Sequence, residues 1–188
     1  MPPKVKITKE DVINTAVDIV RKHGAESLNT RTVASYLNCS TQPIFSNFAN
    51  MDELRLAVLQ NADVLCQQYR QKEVESNNYP AYKANGMAYI RFAKEEKELF
   101  KLLYMRDRSN ENGSIEFGID NKMETIVQSN TGLDENNAKL FHLEMWAYVH
   151  GIATMLATGF LDLEEELISK MLTDSYQGLR KQYVTEDK

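Results

Sequence analysis

The chain has 188 residues, of which 43% are hydrophobic and 26% charged, with a mean hydropathy of -0.47. That composition builds a packed core and excludes a disordered polyelectrolyte. The net charge of -5 is unevenly spread: residues 1–50 carry six Lys/Arg against four acids, the remaining 138 carry 16 against 23. A mildly basic head on an acidic body excludes a uniformly basic nucleic-acid binder, but it suits a small DNA-reading module whose body repels the duplex.

Gly and Pro together number only 12, about half the usual share, so turns are few and an all-α fold is expected. Thr8 caps a first helix over 8–23, with Glu10 and Asp11 in its first turn and Val12, Ile13, Ala16, Val17 and Val20 at helical spacing. Arg21-Lys22-His23 and Gly24 close it. Asn29 caps a short second helix that turns Val33, Ala34 and Leu37 inward. Asn38-Cys39-Ser40 is a tight break, where Asn tolerates the left-handed conformation. A third helix, 41–47, buries Ile44, Phe45 and Phe48 and leaves Thr41, Gln42, Ser46 and Asn47 outward. Asn50 or Asp52 starts a longer fourth helix along Leu54, Val58, Ala62, Leu65 and Tyr69.

Five more helices are expected, over 80–94, 96–105, 119–129, 136–158 and 163–183, which makes about nine in all. The one long polar loop is Arg106–Gly118. No apolar run nears the roughly 18 residues of a membrane span. The segment Met1-Pro2-Pro3-Lys4 lacks the apolar stretch of a secretory signal, and Cys39 and Cys66 form no disulfide framework. The cytoplasm is the expected compartment.

Two short helices joined by a three-residue break, braced by a longer first helix, read as a helix-turn-helix. A helix fits the major groove, and only outward side chains near its N-terminus reach base edges. Gln and Asn can bond adenine in bidentate fashion, Pro43 can meet a thymine methyl, and Thr30 and Arg31 at a positive helix end can hold a phosphate. Solvated polar residues on an ordinary helix pair would show the same pattern.

The run NTRTVASYLNCSTQPIFSNFANMDELRLAVL resembles the DNA-binding head of the TetR/AcrR family of bacterial regulators. Asn29 falls on that family's capping Thr, Val33-Ala34 on its apolar pair, Cys39-Ser40 on Val-Ser, Ile44-Phe45 on Leu-Tyr, and Phe48, Asp52 and Leu54 on the residues that lead into the fourth helix. Three departures stand out: Asn38 for the turn glycine, Phe45 for a tyrosine and Met51 for a lysine that usually meet phosphates. Fewer phosphate contacts imply weaker, less salt-dependent binding.

The resemblance implies a DNA-binding domain over 1–52 and a helical ligand-binding and dimerisation domain over 53–188. The DNA-contacting set is then Thr30, Arg31, Ser40, Thr41, Gln42, Pro43, Phe45, Ser46, Asn47 and Lys9. A pocket for a small apolar or aromatic molecule is expected from Cys66, Tyr69, Met87, Ile90, Phe100, Tyr104, Trp146 and His150, although a plain core would use the same residue types. Trp146-x-x-x-His150-Gly151 resembles a feature of some members' second domain. The helix 136–158 is apolar nearly all round, and Gly151 and Ala153 would let a partner helix approach, so a homodimer through 136–158 and 163–183 is expected. The implied function is a ligand-released repressor on a double-stranded operator; the alternative is a helical scaffold that has lost DNA binding. No catalytic constellation, metal set or cofactor motif is found, and none is expected.

Overall fold

The computed structural model describes residues 7–107 and 121–183. These form nine α-helices and no strand: α1 Lys9–His23, α2 Thr30–Tyr36, α3 Gln42–Asn47, α4 Met51–Glu75, α5 Ala81–Glu95, α6 Lys97–Tyr104, α7 Asn121–Thr131, α8 Glu135–Ala157 and α9 Glu165–Tyr183. A single 3₁₀ turn, Ala25–Ser27, joins α1 to α2. Most of the expected loop 106–118 lies outside the described residues.

The helix ends follow the local chemistry. Thr8 and Asp11 form a reciprocal capping box: the Asp11 N–H donates to Thr8 Oγ1 (3.1 Å) and the Thr8 N–H donates to the Asp11 carboxylate (2.8 Å). The Thr8 N–H and the Thr8 hydroxyl, both donating to the Asp11 carboxylate, hold its pKa below the ordinary value. Gly24 ends α1 at φ +80°, and its N–H donates to Val20 O (2.8 Å). Asn29 Oδ1 accepts from the Thr32 N–H (3.0 Å) to cap α2. Asn38 takes φ +49°, the left-handed turn conformation that glycine or asparagine fills at least cost. Of the two candidate starts for α4, Asn50 is the cap, its Oδ1 accepting from the Glu53 N–H (2.9 Å).

Asn29→Ala is expected to cost about 1 kcal/mol by removing that cap. A lower urea midpoint with an unchanged slope would register the loss; an unmoved midpoint would show that α2 does not depend on it.

The described chain divides into two compact units. Unit 1 comprises the chain to Leu65 with Glu96–Arg106, and unit 2 comprises Cys66–Glu95 with the described residues from Asp107 onward. Packing thus divides within α4 and returns α6 to the first unit, whereas the expected boundary lay at 52/53. In unit 1 the core is Val12, Ile19, Val33, Ile44, Phe48 and Leu54, all 2% exposed or less. Phe45, expected inside with Ile44 and Phe48, is instead 52% exposed. It lies one position past Ile44, and a helix of six residues cannot turn adjacent side chains to the same face. Arg21 on α1 ties α6 in through Glu96 (2.7 Å).

In unit 2, α5 packs mainly on α8, α7 joins α8, and α9 lies against α5 and α8. Gly86 permits that approach: a Cβ there would stand 3.3 Å from Leu172 Cδ1 and 3.5 Å from Val149 Cγ2. The last helix begins at Glu165 rather than 163. Lys94 pairs with Asp162 (2.7 Å) and donates to Leu163 O (3.0 Å), which holds that stretch outside the helix.

Candidate nucleic-acid interface and ligand cavity

In unit 1 the outward side of the α2–α3 pair carries Arg31, Ser40, Thr41, Gln42, Phe45 and Ser46, all exposed. Thr30 and Pro43 are half-buried beside them. Thr30 and Arg31 occupy the first two positions of α2, where unpaired backbone N–H groups and the helix dipole favour an anion. Among the described residues Arg31 has no carboxylate partner. Pro43 is the second residue of α3 and forfeits no intrahelical bond there. Gln42, the first, has its amide in solvent.

Three residues of the expected set are engaged elsewhere. Asn47, read as outward, is half-buried; its Nδ2 donates to Pro43 O (2.8 Å) and Ile7 O (3.4 Å), so it fastens the end of α3 to the entry of α1. Lys9 pairs with Glu53 (3.0 Å) and sits 4.7 Å over the Phe48 ring, so a phosphate would compete with that exposed carboxylate for it. Ser46 Oγ donates back to Gln42 O (2.9 Å) while remaining exposed. Sequence reading also missed a clasp between α1 and α2, where the exposed His23 and Tyr36 share a 2.7 Å hydrogen bond.

Unit 2 holds a cavity of about 370 Å³, within the size range of small-molecule sites. Helices α5, α8 and α9 supply its Tyr82, Gly86, Met145, Val149, Leu172 and Tyr176. Arg70, Lys83, Thr173 and Arg180 add polar groups. Two tyrosine–histidine pairs brace the wall. Tyr82 is bonded to His142 Nδ1 and Tyr89 to His150 Nδ1, each at 2.9 Å. Burial pushes the pKa of both phenols up, so they stay protonated, and burial pushes His150 down toward the neutral ring. Trp146 stacks on His150 with ring planes 9° apart and centroids 5.0 Å apart.

Of the residues expected to form a pocket, Trp146 lines this cavity, and His150 stands behind it against the lining Tyr89. Cys66, Met87 and Ile90 are 2% exposed or less and belong to the packed core. Tyr69 packs its edge on Phe92 and donates its hydroxyl to Glu95 (2.7 Å). Phe100 and Tyr104 are in the other unit, packed against one another in α6, and have no part in this cavity. Aromatic composition marks core and pocket alike, and it does not say which unit a helix joins. Sequence reading missed the cavity's Lys83 and Thr173, which come together from α5 and α9 across 90 residues.

Residues 82–174 match the family model described as the tetracycline repressor-like C-terminal domain. Together with the fold, this match over about half of the chain supports its assignment to the TetR/AcrR family. No curated protein matches it. Among solved structures, a protein of unknown function from Rhodococcus sp. RHA1 superposes with a TM-score of 0.74 at 19% identity, covering 98% of this chain and 100% of its own. A TetR-like transcriptional regulator from the same source gives a TM-score of 0.62 at 14% identity, covering 95% and 98%. The multidrug-binding protein EbrR, complexed with imidazole, gives 0.57 at 16%, covering 89% and 93%. These likenesses establish the TetR-like all-α fold.

Relative to the TetR-like head pattern, Phe45 stands exposed where a phosphate-binding tyrosine is expected, and Met51 is half-buried at the lysine position. Neither can donate to a phosphate. Among the described residues no group of His, Cys, Asp or Glu is placed to hold a metal ion, and no helix is long and apolar enough to cross a membrane.

Proposed function

We propose that this chain is a sequence-specific DNA-binding transcriptional regulator, a repressor that acts in the cytoplasm and leaves its operator when a small molecule fills the cavity of unit 2. The carrying observation is the exposed face of α2 and α3, where among the described residues Arg31 lacks an acid partner and Gln42 presents an exposed amide at the start of a groove-sized helix. Gln42, Thr41 and Ser40 would read or line the major groove, with Pro43 and Ser46 beside them. Thr30 and Arg31 would hold phosphates. Lys9 and Asn47 act as braces in this reading, and Phe45 offers apolar contact. DNA reading is assigned to residues 1–52 and ligand and partner binding to 53–188. No catalysis is assigned.

A homodimer would supply two such helices for half-sites one helical turn apart. The outer face of α8 supports it: Leu140, Leu143 and Tyr148 are 46%, 43% and 37% exposed, and a Cβ on Gly151 would meet open space. Leu167 on α9 is 47% exposed, and Gly178 is likewise open. Ala153, expected on this face, is fully buried within the subunit and contributes to its core instead. Ligand and operator would oppose each other because each selects a different separation of the two reading helices.

Gln42→Ala is expected to relax preference at one base position by about 1–3 kcal/mol while the dimer persists. Selection of bound duplexes from a random pool reads this directly. An unaltered base profile would remove Gln42 from the contact set, and a parent protein with no preferred sequence would favour the scaffold reading.

A further inference from the structure

Resting on the reading of unit 2 as a ligand site, we propose that its ligand is an apolar monoanion, a carboxylate on an aliphatic or aryl body, held by Lys83 and Arg180. The cavity-lining residues include three strong cations, Arg70, Lys83 and Arg180, and no aspartate or glutamate. The placement runs against the composition, because beyond residue 50 acids outnumber Lys/Arg by seven.

Lys83 is the most informative of the three. It is half-buried, its Nζ donates to Thr173 Oγ1 (2.8 Å), and it lies 4.8 Å over the Tyr79 ring. Neither neighbour neutralises it, and among the described residues it has no carboxylate partner. An ammonium taken partly out of water without a counter-charge carries a desolvation cost that an arriving anion would offset. Arg180, exposed at the same cavity, also lacks an acid among the described residues. A guanidinium there can take a carboxylate in bidentate fashion. Lys83 keeps two further N–H donors after serving Thr173, enough to bond a second oxygen.

The remaining wall carries neutral polar groups, Asn85, Asn130 and Gln177 among them, beside a broad apolar surface. Met145, Val149, Leu172 and Trp146 are apolar or aromatic, so they suit a hydrocarbon or ring body and no second charge. A cationic drug-like ligand would meet Lys83 and Arg180 and no acid among the lining residues. An uncharged one would leave Lys83 as unpaired as before.

The test measures binding to the full-length protein by calorimetry with two probe sets: decanoate, decanol and decylamine, then naphthylacetate, naphthylethanol and naphthylethylamine. At least one carboxylate is expected to bind tenfold or more tighter than its alcohol and amine. The better set identifies the body as a chain or a ring. Lys83→Met should erase that advantage while leaving the alcohol's affinity unchanged, and Arg180→Met should reduce it in part. Circular dichroism of each variant confirms that it is folded. An alcohol or amine that binds as well as the acid would overturn the anion assignment and leave the cavity as a ligand site. If no probe of either set binds, the assignment and the ligand-site reading both fail.

Discussion

Arg91→Met is expected to destabilise the protein by about 3–5 kcal/mol, because it strands a charge that the fold has taken out of water. Glu73, near the C-terminus of α4, is 3% exposed, and its carboxylate accepts from the Arg91 guanidinium of α5. Its other oxygen, Oε1, is buried with no partner among the described residues, so the carboxylate has no reserve of hydrogen bonds. The same guanidinium reaches Glu165 at the start of α9 (2.6 Å), and one side chain thus fastens three helices of unit 2. The Glu165 arm is 55% exposed and contributes little by itself. The internal control is the double variant Glu73→Leu/Arg91→Met, which removes both charges and should recover most of the loss. Urea unfolding of the two variants decides it. A single variant no worse than an ordinary surface change would show that Glu73 reaches water.

Phe141→Ala carries the second large effect, again about 3–5 kcal/mol. The ring is fully buried and packs with Val127, Ala138 and Met145. It meets Tyr176 edge-on at 5.2 Å and Tyr183 at 5.8 Å. Tyr176 lines the cavity, and Tyr82, packed at the edge of the same cluster, is bonded there to His142. Removing the ring takes away the backing of a cavity wall, so affinity for any cavity ligand should fall along with stability. Measuring both on one sample separates the effects. A stability loss with unaltered ligand affinity would show that Tyr176 keeps its position without Phe141.

The helices were legible because each boundary has a local cause. Thr8, Asn29 and Asn50 are caps, Gly24 and Asn38 occupy left-handed positions, and the apolar spacing between them matches one helix face. The exposed face of α2 and α3 was legible for the same reason, since a short helix with one buried side leaves the other residues outward. What failed there were residues whose partners are distant in sequence. Asn47 reaches back 40 positions to Ile7, and Lys9 reaches 44 forward to Glu53. No periodicity records such a bond.

The cavity was less legible still. A void is what remains after helices from several parts of the chain have packed, and neither hydropathy nor spacing encodes where they leave space. Trp146 entered through the Trp-x-x-x-His-Gly resemblance, whereas nothing local to Lys83 or Arg180 marks either as facing a void. The division of the fold was hidden likewise. The buried Leu99, Phe100 and Leu103 of α6 join unit 1, with Arg21 meeting Glu96 across 75 residues.

The central claim is that the exposed side of α2 and α3 meets DNA, and backbone amide resonances of the protein report on it residue by residue. Titration with a preferred duplex, selected from a random pool, should shift the signals of Thr30, Arg31 and Ser40 through Ser46 first and most, with the shifts receding as salt is raised. Perturbations concentrated on any other surface, with those residues unmoved, would contradict the account.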